Sequence, residues 1–135
     1  MKITNLIILT VATSFAAVTG ARAEGTLPPA SDKTGVTYAT DIKPIFDTSC
    51  VKCHSGDKAK ARLHMDTLEG VLKGTKQGKI VVAGDSANSF MVKSIAHLTG
   101  DSDAWMPPVH NKAGIKALTP EQIGLIRAWI DRGAK

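Results

Sequence analysis

The chain has 135 residues with 17 basic and 12 acidic side chains, a formal charge of +5. That length holds one small domain and no more. The charge excess comes with no nucleic-acid-binding motif, so nucleic acid is not an expected partner.

Residues Met1 to Ala23 read as a secretory signal peptide. Lys2 opens it, Ile3 to Val18 is mostly apolar, and Ala21-Arg22-Ala23 places small residues where a signal peptidase inspects the chain. Asn5, Thr10, Thr13 and Ser14 interrupt the apolar run, which falls short of the ~20 strongly apolar residues of a membrane span. Cleavage before Glu24 is therefore expected, with a periplasmic or otherwise exported product and no stable membrane insertion. A retained segment would instead anchor the protein. Removing 23 residues from 135 leaves 112. Loss of Lys2 and Arg22 leaves 15 basic against 12 acidic residues, a net charge of +3.

Glu24 to Thr37 has two prolines and little periodicity, and reads as a flexible leader to a domain over residues 38–135. A first helix is expected over Asp41–Thr48, capped by Thr40 or Asp41, with Ile42, Ile45 and Phe46 on its apolar stripe. It delivers Cys50-Val51-Lys52-Cys53-His54, which holds both cysteines of the chain.

This C-x-x-C-H spacing is a haem-attachment signal. Two thiols can add to the two vinyl groups of one haem, and His54 can then take an axial position on the iron. Its other ring nitrogen would donate to a backbone carbonyl and fix the tautomer. Two rival readings exist. A redox dithiol should accompany a βαβ pattern, which is missing here. A structural zinc site would need His64, His97, His110 or an acidic residue to complete about four ligands. Export also places the thiols in an oxidising compartment, where covalent attachment would consume them.

Beyond the motif, Lys58, Lys60 and Arg62 form a basic run that can meet an acidic redox partner, although a solvated face explains it more simply. A short helix follows over Thr67–Leu72, with Asp66 as cap and Gly74 as terminator. Ile80 to Val82 is extended but too short and isolated to imply a sheet. Another helix is expected over Ala87–Leu98, capped by Asp85 or Ser86, with Phe90, Met91, Ile95 and Leu98 on one face and His97 near its end.

Trp105-Met106-Pro107-Pro108 is the second informative stretch. Its prolines restrict the backbone, so the loop could hold the Met106 thioether in one place, with Trp105 covering a cofactor edge or filling the core. The last helix begins with Thr119 as cap, Pro120 at the first position and Gln122 completing a capping box. Ile123, Ile126 and Ile130 form its buried stripe beside Trp129, which should pack on the Ile42/Phe46 helix.

With these residues in place the chain resembles the class I cytochrome c fold, and more narrowly the planctomycete-type cytochrome c domains. The likeness rests on Asp41 to Phe46, Cys50 to His54, Leu63-His64-Met65-Asp66, Gly84-Asp85-Ser86, Trp105 to Pro108, Leu118 to Gln122 and Ala128-Trp129-Ile130. It implies an all-α domain around one haem c, joined covalently through Cys50 and Cys53, with crossing N- and C-terminal helices. It also implies His54 as proximal ligand and Met106 as distal ligand, with Trp105 and Pro107 at the cofactor. From sequence spacing alone, Met65, Met91, His64, His97 and His110 remain alternatives for the distal position.

The expected function is electron carriage by outer-sphere transfer rather than enzymatic turnover, between a redox protein donor and acceptor. Lys52, Lys58, Lys60 or Lys112 could contribute to a docking rim for an acidic partner surface. One rival is a haem sensor or small-ligand binding protein with a weak or open distal site, of which a weak peroxidase-like activity is a variant. Another is a structural haem subunit of a periplasmic redox complex.

Overall fold

The computed structural model describes residues 25–135. The signal-peptide reading falls on residues outside that range. Within it, every regular element is helical, and the single β-bridge, Thr75 to Gly78, closes a turn. No helix among the described residues is long and apolar enough to cross a membrane.

The first helical element starts earlier than its apolar stripe suggests. A π-helical turn, Tyr38–Ile42, runs directly into α1, Lys43–Ser49. The cap is Thr37 and not Thr40 or Asp41: the Thr37 hydroxyl accepts from the Thr40 amide at 3.2 Å. Asp41 instead sits inside the turn and reaches back, its carboxylate accepting from the Thr37 amide at 2.9 Å and the Thr40 hydroxyl at 2.7 Å. Lys33 forms an ion pair with the same carboxylate. These bonds, that from Lys33 first, hold the Asp41 carboxyl well below the ordinary carboxylate range.

Helix α2, Leu68–Lys73, is capped by Thr67 rather than Asp66, with the Gly70 amide donating to the Thr67 hydroxyl at 3.1 Å. Helix α3, Phe90–Ile95, is half the expected length. Asp85 does not cap it. Its carboxylate accepts from the Asn88 amide at 3.1 Å and the Asn88 side chain at 2.7 Å, which makes a separate turn. Ser89 stands at the start of α3, and its hydroxyl is taken up by the preceding extended segment, accepting from the Val82 amide at 2.9 Å. The other end stops at His97, whose φ of 56° leaves the right-handed helical region.

Helix α4, Pro120–Asp131, forms with the expected capping box: the Thr119 amide donates to Gln122 Oε1 at 2.9 Å and the Gln122 amide to the Thr119 hydroxyl at 3.3 Å. Ile123, Ile126, Trp129 and Ile130 are buried along it. Trp129 meets Phe46 edge-on with ring centroids 6.4 Å apart, and Tyr38 at 5.8 Å. The first and last helical elements thus meet through an aromatic cluster, which joins the two ends of the domain.

Residues 28–33 lie along α4. The Ser31 amide donates to Gly124 O at 2.9 Å, and Arg127 donates to Pro28 O. A Cβ at position 124 would stand 2.8 Å from Pro29 O, so only glycine lets this backbone approach. Arg127 Nε also donates to the Ser86 hydroxyl at 3.0 Å, and Ser86 in turn donates to Asp131 through its amide at 2.7 Å and hydroxyl at 3.0 Å. A partly buried polar network centred on Ser86 therefore ties the segment before the first helix and the loop before α3 to one face of α4.

Candidate haem-binding site

The turn carrying both cysteines grows straight out of α1. The Cys50 amide donates to Phe46 O at 2.8 Å, and the Cys53 and His54 amides both donate to Cys50 O, at 3.1 and 3.0 Å. Phe46 is part of the aromatic cluster, so the core that joins the terminal helices also fixes where this turn begins. Two further bonds fold the following loop onto it: Lys60 N to Cys53 O at 3.0 Å and Met65 N to His54 O at 2.8 Å.

That loop orients His54. Its Nδ1 lies 3.1 Å from Lys60 O. A carbonyl only accepts, so Nδ1 carries the proton and Nε2 keeps its lone pair. Burial also pushes the imidazole below the ordinary histidine pKa, which favours the neutral ring a metal requires. The turn presenting Lys60 O contains two left-handed residues, Ala61 at φ 55° and Arg62 at φ 54°. Neither is glycine, so this geometry is held against a local steric cost.

Cys50, Cys53, His54 and Met106 all line one cavity of about 360 Å³. Its walls are mostly aliphatic side chains and thioethers, among them Leu63, Ile80, Ile95 and Leu118. Pro107 lines it as well. Trp105 does not: it stacks on His97, with ring centroids 5.0 Å apart and planes 5° from parallel, and its indole N–H donates to Thr99 O at 3.3 Å. His97 likewise is not among the lining residues, and neither are His64 and His110, which are exposed.

Three further cavity features come from the packing. Met65 and Met91, both buried, face the same space as Met106. The i, i+3, i+4 spacing of Met91, Ser94 and Ile95 is the signal that places these residues on one helical face. Phe90, expected on one helical face with Met91 and Ile95, is 50% exposed and stands at the cavity wall. Asn111 also lines the space and clasps its loop, its amide nitrogen donating to Pro108 O and Ile115 O at 2.8 Å each while Oδ1 accepts from the Ile115 amide at 2.9 Å. Nothing in the sequence around Asn111 marks that clasp.

The alternatives for the cysteines fare poorly against this geometry. Among the described residues no three His, Cys, Asp or Glu side chains gather as a metal-binding group, so a structural zinc has no ligand set. A reactive dithiol needs a lowered thiol pKa, whereas burial first, and the neighbouring Cys53 second, push the Cys50 thiol up to about 12.

A planctomycete cytochrome C family model matches residues 50–110, from the first cysteine past the paired prolines. This match supports a class I cytochrome c-type fold. No curated protein and no solved structure matches the chain. The matched segment spans both ends of the cavity's donor set, Cys50 and Met106. The elements outside it, the Tyr38–Ile42 turn with α1 on one side and α4 on the other, supply the terminal contact of an all-helical, cytochrome c-like fold among the described residues. The residues fit a haem: two thiols at attachment spacing, an imidazole with a free Nε2, and the thioethers of Met65, Met91 and Met106 share one largely apolar space.

Proposed function

We propose that this protein is an exported monohaem c-type cytochrome that carries electrons by outer-sphere transfer. Cytochrome-family identity over residues 50–110, together with the Cys50/Cys53/His54 spacing, supports a redox role. The observation that carries the finer reading is the meeting of His54, oriented through Lys60 O, with Met106 in a single apolar cavity.

Cys50 and Cys53 would hold haem c covalently, and His54 Nε2 and the Met106 thioether would be its axial ligands. Bound haem supplies a one-electron iron couple whose potential methionine ligation and burial both raise. The bond from His54 Nδ1 to Lys60 O would hold the imidazole plane, and the largely apolar wall would limit access of water to the bound group. Lys52, Lys58, Lys60 and Lys112 are all exposed, which suits docking to an acidic face of a redox protein.

An optical spectrum of the mature protein, oxidised and reduced, with and without carbon monoxide, tests this. A low-spin c-type haem with a far-red methionine–iron band and no response to carbon monoxide is expected. A five-coordinate spectrum or ready carbon monoxide binding would replace electron carriage with a ligand-binding or peroxidase-like role, and absence of haem would end the proposal.

A further inference from the structure

The Met106 segment has no regular structure of its own, yet it is gripped at three consecutive residues by the C-terminal end of α3. The Met106 amide donates to Ser94 O at 3.0 Å. On one side of it, Trp105 lies flat on the His97 ring. On the other, Pro107 O stands 3.2 Å from His97 Nε2, which as partner to a carbonyl must be the donor. One imidazole thus holds both neighbours of the thioether residue.

The backbone at His97 adds an independent argument. The His97 amide donates to Ser94 O at 3.1 Å and the Leu98 amide to Lys93 O at 2.9 Å, the pair of bonds that defines a Schellman stop. Its left-handed position is the one where glycine is the usual residue, because a Cβ is strained there. This chain places a histidine at that position, with φ 56°. Helix termination does not explain the choice of a large side chain over glycine. The contacts to Trp105 and Pro107 do.

We propose that His97 is a positioning residue that clamps the Trp105–Pro107 segment and so sets the Met106 thioether for the iron. The proposal rests on the reading of Met106 as distal ligand. The clamp has two separable parts, a stacking contact and a hydrogen bond. Loss of either leaves the thioether less constrained, and loss of both makes the sixth position open more often. Outer-shell partners of metal ligands have effects of this kind, commonly tenfold or more on the bond they support.

The test uses the full holoprotein with His97→Gly, His97→Phe, His97→Gln and Met106→Ala, reading the far-red band, carbon monoxide affinity of the reduced protein, and thermal unfolding. Glycine relieves the backbone while removing the clamp. His97→Gly should therefore unfold no earlier than the parent, yet lose far-red intensity and bind carbon monoxide about tenfold more tightly. His97→Phe, which keeps the stack, and His97→Gln, which keeps a donor, should fall between parent and glycine variant. Should the glycine variant fail to mature, the other two decide the matter by the same readings. Parental band and carbon monoxide response in the His97 variants, with the band lost in Met106→Ala, would overturn the clamp and leave Met106 as ligand. A band that survives Met106→Ala would remove both assignments.

Discussion

On the His54 side of the cavity, almost every contact that places the donor comes from within a dozen residues. The Cys50 turn continues α1, and Lys60 O, Cys53 O and His54 O are bonded inside one loop. On the Met106 side the separations in sequence are similar, but the partners belong to a separate element: Ser94 lies in α3 and His97 at its stop, while Asn111 clasps the loop that follows. The first arrangement suits a group that must be attached during maturation, because a short loop can present thiols and imidazole together with few distant contacts. The second makes the remaining donor dependent on how α3 is docked.

Substitutions on the two sides should therefore fail differently. The largest effect is expected from His54→Ala, which removes the donor that the whole Cys50–Met65 loop orients. Covalent haem should fall steeply, read as intact-protein mass together with haem stain, and normal low-spin incorporation would refute the assignment. Met106→Ala should keep covalent haem at parental yield and lower the reduction potential, on the order of 100 mV within the roughly 0.8 V that axial ligands command. A redox titration measures this. Equal loss of haem in both variants would erase the distinction between the two sides.

The terminal-helix cluster sharpens the comparison from outside the cavity. Trp129 is 1% exposed and touches both Phe46 and Tyr38. Trp129→Ala should cost about 3–5 kcal/mol in denaturant unfolding of the holoprotein. Its spectrum should change far less than that of Met106→Ala, since α4 supplies no donor. A large loss of the far-red band would show that α4 governs the Met106 side as strongly as α3 does.

Asp41→Asn should have the smallest effect, confined to acid. Its carboxyl is held below the ordinary value by Lys33 and the Thr37 amide. The unfolded chain then takes up this proton first, near pH 4. The stabilisation is present above that pH and declines as the pH falls towards the folded-state value. The asparagine variant should lose this part of the acid dependence, as measured by unfolding midpoints across pH 2–6, while holding the parental haem spectrum. An unchanged acid profile would show that the ion pair contributes nothing to folding.

Much of the site was legible because its signals are local. Cys50, Cys53 and His54 are read by spacing, and the Thr119/Gln122 box marks where α4 begins; both rely on bonds within a single turn of chain. The caps of the other helices were less legible. Thr37, Thr67 and Ser89 stand next to other residues able to cap, and the choice among neighbours depends on what else each side chain can reach. Ser89 shows this most plainly, since Val82 captures the hydroxyl that would otherwise serve the helix.

What the sequence by itself determined is, over the described residues, an all-helical domain with a C-x-x-C-H turn after its first helix and an amphipathic helix at its end. Hydrophobic period, capping chemistry and cysteine spacing are properties of adjacent residues. Only the tertiary structure decided that Met65 and Met91 share a cavity with Met106, that Phe90 stands at its wall, and that His97 holds Trp105 and Pro107. Those relations arise where separate segments meet across the core, and the packing of the whole domain selects them.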